Sequence, residues 1–305
     1  MQQFYEERKR GIGGSDASAV LGVNPYKSAI DVFLEKTGQI APSTDDTPAT
    51  YWGKRLEPIV REEFQRQTGL TVMTSTEMFQ SDTYPFMIAH VDGFGRDGDI
   101  PFVLECKTTH SRNAEQWTGD VLPIPYMIQV AHYLFVTGAQ KGFLAVLIGG
   151  NDFRIFPIDR DADVERLLLE GETRFWTEYV QKGILPPVDG SLATANALQS
   201  LYATTTPAPI ELTGMETACA KLLHLKQQRK TVEQEELLLE NQLKAAMQSH
   251  EMGICGEYRV TWKPCETRRF DVKNFQVQQP DIYARYLTSA TTRRFQVTPF
   301  TKKGE

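Results

Sequence analysis

The sequence predicts an α/β fold in the broad sense, a mixed sheet flanked by helices. Apolar residues alternate along the chain between helical spacing and short strand-like runs, with Gly, Pro and Asp marking the breaks. A chain of 305 residues that is 41% hydrophobic and 24% charged can also bury the core of one large domain or two smaller ones.

Taken in order, "GGSDASAVLG" predicts a short helix capped by Ser15 or Asp16 and stopped by Gly22, and residues 28–38 predict a second. Trp52, Leu56, Val60 and Phe64 recur at helical spacing up to Gly69 and predict a longer third helix. Strand-like runs follow at 72–79, 86–91 and 102–108. A helix fits 126–136, strands fit 143–148 and 153–158, and a further helix fits 162–180. Residues 191–210 carry no charge and are dominated by Ala, Thr and Pro, so they are expected to be a linker between a domain over 1–190 and a C-terminal region over 211–305. In that region Leu222, Leu225, Val232, Leu239, Leu243 and Ala246 follow a heptad-like spacing interrupted by Arg229 and Glu236, as in a long helix or a helical hairpin. A strand in "EYRVTWKP" and a basic end complete the chain, so the C-terminal region combines helix with a small basic β region.

Composition narrows the classes of function. No run of about 18 apolar residues occurs, and "MQQFYEERKR" lacks the apolar centre of a secretory signal, so a cytoplasmic protein is expected, with no membrane partner. The four cysteines, Cys106, Cys219, Cys255 and Cys265, form no CxxC pair and predict reduced thiols. The net charge of −6 conceals an asymmetry: residues 251–305 hold ten Lys or Arg against six Asp or Glu. No GxxxxGK[ST] loop occurs, so no ATP-driven motor is built in.

The stretch "HVDGFGRDGDIPFVLECKTTH" carries the chemistry. Side chains alternate along a strand, so Val103, Glu105 and Lys107 share one face while Leu104 and Cys106 share the other. Asp92 ends the preceding apolar run thirteen residues earlier, a spacing that permits an antiparallel neighbour ending beside Glu105. Two carboxylates and an ammonium would then converge. Hard carboxylate oxygens suit Mg²⁺, which offsets charge in phosphodiester hydrolysis and lowers the pKa of bound water, and the lysine would orient or deprotonate that water. An ion pair on a solvated strand is the alternative that the pattern by itself leaves open.

His90-Val91-Asp92 and Glu105-Cys106-Lys107 resemble a relaxed PD-(D/E)xK nuclease signature. More specifically, the chain resembles the YqaJ-like viral recombinases and, more distantly, phage lambda exonuclease. The resemblance covers residues 4–183 and rests on four ordered blocks, "RKRGIGGSDASAVLGVNPYKS", "YWGKRLEPIVREEF", "HVDGF…LECK" and "YMIQVAHYLFVTG"; beyond Pro187 nothing matches the lambda enzyme. It implies a PD-(D/E)xK nuclease core with a C-terminal extension. It also implies Asp92 and Glu105 as metal ligands, with the backbone carbonyl of Cys106 and Glu57 joining them, Lys107 positioning the water, and Gln129 orienting Lys107 or the nucleophile. In the first block an arginine seven residues before Ser15 would hold a 5′-phosphate; that spacing selects Arg8, with Arg10 a close competitor.

The activity implied is a Mg²⁺-dependent DNA exonuclease, with Mn²⁺ as a substitute, acting on duplex ends from a 5′-phosphate and leaving a 3′ overhang for recombination. A single-strand annealing partner and, by analogy, a ring-shaped trimer would accompany it, in the cytoplasm of a bacterial host if the chain is phage encoded. A non-catalytic DNA-end-binding scaffold and an endonuclease with the same metal site are the alternatives. Iron–sulfur ligation by four cysteines is disfavoured, because Cys106 lies between Glu105 and Lys107.

Overall fold

Four helices precede the sheet: α1 (Gln2–Lys9), α2 (Gly14–Val20), α3 (Ala29–Lys36) and α4 (Pro48–Thr68). The computed structural model describes residues 2–40, 47–75, 77–119, 122–289 and 292–299, so Lys302 and Lys303 of the expected basic end lie outside the described residues. Local chemistry sets the helix starts. Ser28 accepts the N–H of Asp31 at 3.2 Å while the Asp31 carboxylate takes the N–H of Ser28 at 2.8 Å, a reciprocal cap for α3. The cap of α2 is neither Ser15 nor Asp16 but Gly13, whose N–H reaches back to Asp16 Oδ2 at 3.4 Å.

Strands β1 (Val72–Met73), β2 (Phe79–Gln80), β3 (Ile88–Ala89), β4 (Gly93–Asp97) and β5 (Ile100–Thr109) follow. After helix α5 (Ile124–Thr137) come β6 (Lys141–Ile148) and β7 (Asp152–Asp159). The main sheet has the order β1-β4-β5-β6-β7, with β5 and β6 parallel and the other pairs antiparallel. Helix α5 is the crossover that a parallel pair requires.

Both faces of the central strands are buried. On one, Val103, Leu144 and Val146 pack with Val130 and Leu134 of α5. On the other, Phe102, Leu104, Phe143 and Ala145 pack with Val60 and Phe64 of α4. Central strands covered on both sides read as continuous apolar runs, and Glu105 interrupts one of them at 2% exposure.

Two strand expectations are corrected. The run 72–79 splits into β1 and β2, which belong to different sheets, and of 86–91 only Ile88–Ala89 is strand, paired with β2. The antiparallel neighbour of β5 lies after Asp92, not before it. The packing demands its glycines. A Cβ on Gly93 would fall 2.4 Å from Val72 Cγ1, and one on Gly95 would fall 2.4 Å from the Thr71 carbonyl oxygen.

Helix α6 (Ala162–Arg174) continues into one π-helical stretch, Phe175–Val180. The segment expected as a linker holds α7 (Leu192–Leu201), capped by Ser191, which accepts the N–H of Thr194 at 3.0 Å. Ala197 of α7 is buried in the cluster that contains Ile30 and Phe33 of α3, so an uncharged, Ala-rich sequence here is a packing face.

The chain divides into two compact units, Met1–Thr204 and Thr205–Glu305. The second begins with a single unbroken helix, α8 (Glu216–Met247), followed by the hairpin β8 (Met252–Cys255) and β9 (Tyr258–Thr261) and by α9 (Val272–Gln278) and α10 (Pro280–Arg285).

Candidate active-site cleft

A cleft of about 410 Å³ opens where α4 meets the sheet and is lined by Glu57, Asp92, Glu105, Cys106 and Lys107 together with Lys54, Thr108 and Tyr126. Register explains the meeting. Gly93 pairs with Leu104, so Asp92, one residue earlier, stands beside Glu105, and its Oδ2 accepts the N–H of Cys106 at 2.8 Å. Lys107, two residues on from Glu105 and on the same face, donates to Glu105 Oε1. Gln129 of α5 donates to the same oxygen at 2.7 Å and to the Tyr133 hydroxyl at 2.9 Å. Glu57 lies on the cleft side of α4 and pairs with Arg61 one turn later.

The electrostatics of the cleft are those of an incompletely neutralised acidic cluster. Burial and then the Asp92 charge push the Glu105 carboxyl from its ordinary 4.5 up to about 8. Burial also raises Asp92, against the pull of Lys107. Glu57 is raised by burial and by Asp92. Burial pulls the Lys107 ammonium down, but Glu105 and Asp92 outweigh it and the net displacement is upward. Burial pushes the Cys106 thiol up, with Asp92 and Glu105 adding to the effect, which makes it an inert thiol.

These residues fit a hard divalent cation. Glu105 Oε2 is buried with no hydrogen-bond partner, a carboxylate oxygen on a cleft that holds two further carboxylates raised chiefly by burial. Among the described residues no group of three or more His, Cys, Asp or Glu is drawn together tightly enough to hold a metal by itself. Two carboxylates, a backbone carbonyl, water and substrate oxygens match the way Mg²⁺ is bound.

The predicted phosphate-binding block lies in a second cluster. Arg8 donates to Ser15 Oγ at 3.4 Å and to Asp16 Oδ1 at 2.7 Å. Asp16 was missed as anything but a helix cap, yet it is fully buried and also binds Lys27 at 2.9 Å and Lys36 at 2.6 Å. Burial alone would raise its carboxyl; Lys27, Lys36 and Arg8 together hold it well below the ordinary range. Glu35 takes a further bond from Lys27, at 2.7 Å. Arg8, Lys27 and Lys36 thus gather around Asp16 and Glu35, with buried Glu172 also within reach of Asp16 and Lys36. Arg10, by contrast, is exposed on the turn that ends α1.

Tyr133 and a buried pair behind α5 also went unread. The ring of His132 contacts the Ile88 carbonyl oxygen at 2.9 Å and Glu172 of α6 at 2.8 Å, tying α5 to β3 and α6. The spacing Gln129-x-x-x-Tyr133, one helical turn, was the available signal for Tyr133.

Residues 3–140 match the family described as the YqaJ-like viral recombinase domain. Protein YqaJ of Bacillus subtilis (strain 168) is 37% identical over 299 residues, covering 96% of this chain and 92% of that protein. Among solved structures, the alkaline exonuclease LHK-Exo of Laribacter hongkongensis aligns at 15% identity and a TM-score of 0.45 over 60% of this chain and 97% of that chain. Its complex with dAMP aligns at 16% identity and 0.48, over 60% and 94%. A phage-related exonuclease from Haemophilus somnus 129PT aligns at 12% and 0.42, over 56% and 94%.

Proposed function

This chain belongs to the YqaJ-like viral recombinase family, and on that premise we propose that it is a Mg²⁺-dependent, ATP-independent exonuclease. It digests linear duplex DNA from a 5′-phosphorylated end and leaves a 3′ overhang for recombination by strand annealing. The observation that carries the reading is the convergence of Asp92, Glu105 and Lys107 on one cleft, with Glu105 Oε2 buried and unpartnered.

Asp92, Glu105, Glu57 and the Cys106 carbonyl would hold the ion, which when bound supplies Lewis-acid polarisation of the phosphate and an acidified water. Gln129 and Lys107 both engage Glu105 Oε1, which leaves Oε2 as the oxygen free for a cation. The Lys107 ammonium, with Tyr126 5.2 Å beneath it, is held charged and directed by Glu105, so it orients the attacking water and balances charge in the transition state. At the other cluster, Arg8 and Ser15, with Lys27 and Lys36 behind them, offer a guanidinium and a hydroxyl to a terminal phosphate. Arg8 is favoured over Arg10 because it sits beside Ser15. A single-strand annealing protein is the partner that such a product calls for.

The test is linear duplex DNA labelled separately at each end, incubated with Mg²⁺ or EDTA, beside a covalently closed circle. Label released first from the 5′ end, only with Mg²⁺ and only from the linear form, supports the reading. Cleavage of the circle would make it an endonuclease, and binding without cleavage would make it a scaffold.

A further inference from the structure

Helix α8 keeps most of its apolar surface in solvent. Leu225 is 50% exposed, Val232 60%, Leu239 60% and Leu243 45%. With Leu222 and Ala246 these residues recur at heptad spacing along one seam, broken only by Arg229 and Glu236 in its middle. A lone helix would not bury this stripe, and within its unit Met247 is the one buried residue of α8.

The charges of α8 are sorted by half. Residues 216–230 contain Lys221, Lys226, Arg229 and Lys230 against Glu216; residues 231–247 contain Glu233, Glu235, Glu236 and Glu240 against Lys244. This order is the reverse of the one that helps an isolated helix, which gains from acid near its N-terminus and base near its C-terminus. A helix positive in its first half and negative in its second is complementary to a second copy of itself running the opposite way.

From this arrangement we propose that α8 is a self-association surface, on which two copies of the chain pair antiparallel along the Leu222–Leu225–Val232–Leu239–Leu243 seam. The two interrupting residues decide the orientation. In a parallel pair Arg229 would face Arg229 and Glu236 would face Glu236, like charges in the middle of the interface. In an antiparallel pair centred within 231–234, Arg229 of each copy comes within about one turn of Glu236 of the other, roughly 6 Å or less along the axis at 1.5 Å per residue. Arg229 also pairs with Glu233 of its own helix at 3.3 Å, so the guanidinium already lies toward the acidic half. The inference is independent of the nuclease reading, since none of these residues lies in Met1–Thr204.

Sedimentation velocity of the full chain, across protein concentration at low and high salt, tests it, with circular dichroism confirming that each variant keeps its helix content. The wild type associates reversibly and more weakly at high salt; Val232→Asp abolishes association. Arg229→Glu and Glu236→Arg each weaken association by at least about tenfold, and the double variant Arg229→Glu/Glu236→Arg restores it, because the swapped charges still meet across an antiparallel interface. A chain that stays monomeric at all concentrations, or an oligomer indifferent to Val232→Asp, would overturn the proposal. Failure of the double variant to recover would overturn the antiparallel orientation.

Discussion

Replacing Glu105 by Gln should make the metal-free protein more stable at alkaline pH and abolish its stabilisation by Mg²⁺. The carboxyl is 2% exposed and is displaced from its ordinary 4.5 to about 8, first by burial and then by Asp92. Because the folded value lies above the unfolded one, the contribution of this group is fully present below about pH 4.5 and is lost as the pH rises through about 8. At 1.36 kcal/mol per unit, the loss approaches about 5 kcal/mol as an upper bound, with the attraction of Lys107 already included. Gln, neutral like the protonated acid, escapes that loss, and the pairing of Lys107 with the ionised carboxyl is already counted within it. The net gain near pH 9 then approaches the same bound of about 5 kcal/mol, or roughly 10–20 °C in Tm for a unit of this size. Near pH 5, where the folded carboxyl is protonated, the two proteins should melt within a degree or two of each other. Thermal melts of both across this pH range in EDTA, repeated with saturating Mg²⁺, decide the matter. Parallel pH profiles for wild type and Glu105→Gln, or equal stabilisation of both by Mg²⁺, would refute the idea that Glu105 carries an unsatisfied buried charge awaiting a cation.

Asp92→Asn, Glu105→Gln and Lys107→Ala should each lower cleavage by at least about a thousandfold in gel assays while leaving DNA binding intact, because they act on metal and water; Ca²⁺ should support binding but not hydrolysis. Duplexes with 5′-hydroxyl ends should be degraded at least about tenfold more slowly than phosphorylated ones, a factor worth about 1.4 kcal/mol. Arg8→Ala should erase that preference with both substrates slow, whereas Arg10→Ala should leave it intact; the reverse would move the pocket to Arg10. Asp16→Ala should destabilise the fold by about 3–5 kcal/mol in urea, since it strands Lys36 as a buried cation without its carboxylate, while Lys27 keeps Glu35. A smaller loss with Asp16→Ala would mean that water replaces the carboxylate.

Strand alternation in "FVLECK" put Glu105 and Lys107 on one face, and the helical spacing of Trp52, Leu56, Val60 and Phe64 anticipated α4. Those readings depend on period alone, which the backbone enforces. What escaped depends on partners distant in sequence. The glycines of β4 suit a strand only because Val72 and Phe102 crowd against them, and nothing local announces that. Asp16 resembles a cap until Lys27 and Lys36, 11 and 20 residues away, are folded onto it. The uncharged stretch 191–210 looked like a linker because small residues serve equally for a loop and for the close approach of α7 to α3.

The two clusters are coupled through one close contact. Gly14, at the start of α2, has no Cβ, and a Cβ there would lie 2.5 Å from Tyr133 Cε1 and 3.0 Å from the Gln129 carbonyl oxygen. The helix that carries Ser15 and Asp16 therefore rests on the backbone and ring of the very residues that reach the cleft. Tyr133 takes a hydrogen bond from Gln129, and Gln129 gives its other to Glu105. His132, between them on α5, is fixed from behind by Ile88 and Glu172. The separation between Arg8 and the carboxylates is thus set by packed helices rather than by a loop, and sites built on such elements hold their geometry more closely than sites on loops. Under the proposed function, a strand end gripped at Arg8 would present its backbone to Glu105 in a fixed register. An enzyme that measures its cut from a terminus needs that rigidity, whereas one that cuts internally has no use for it.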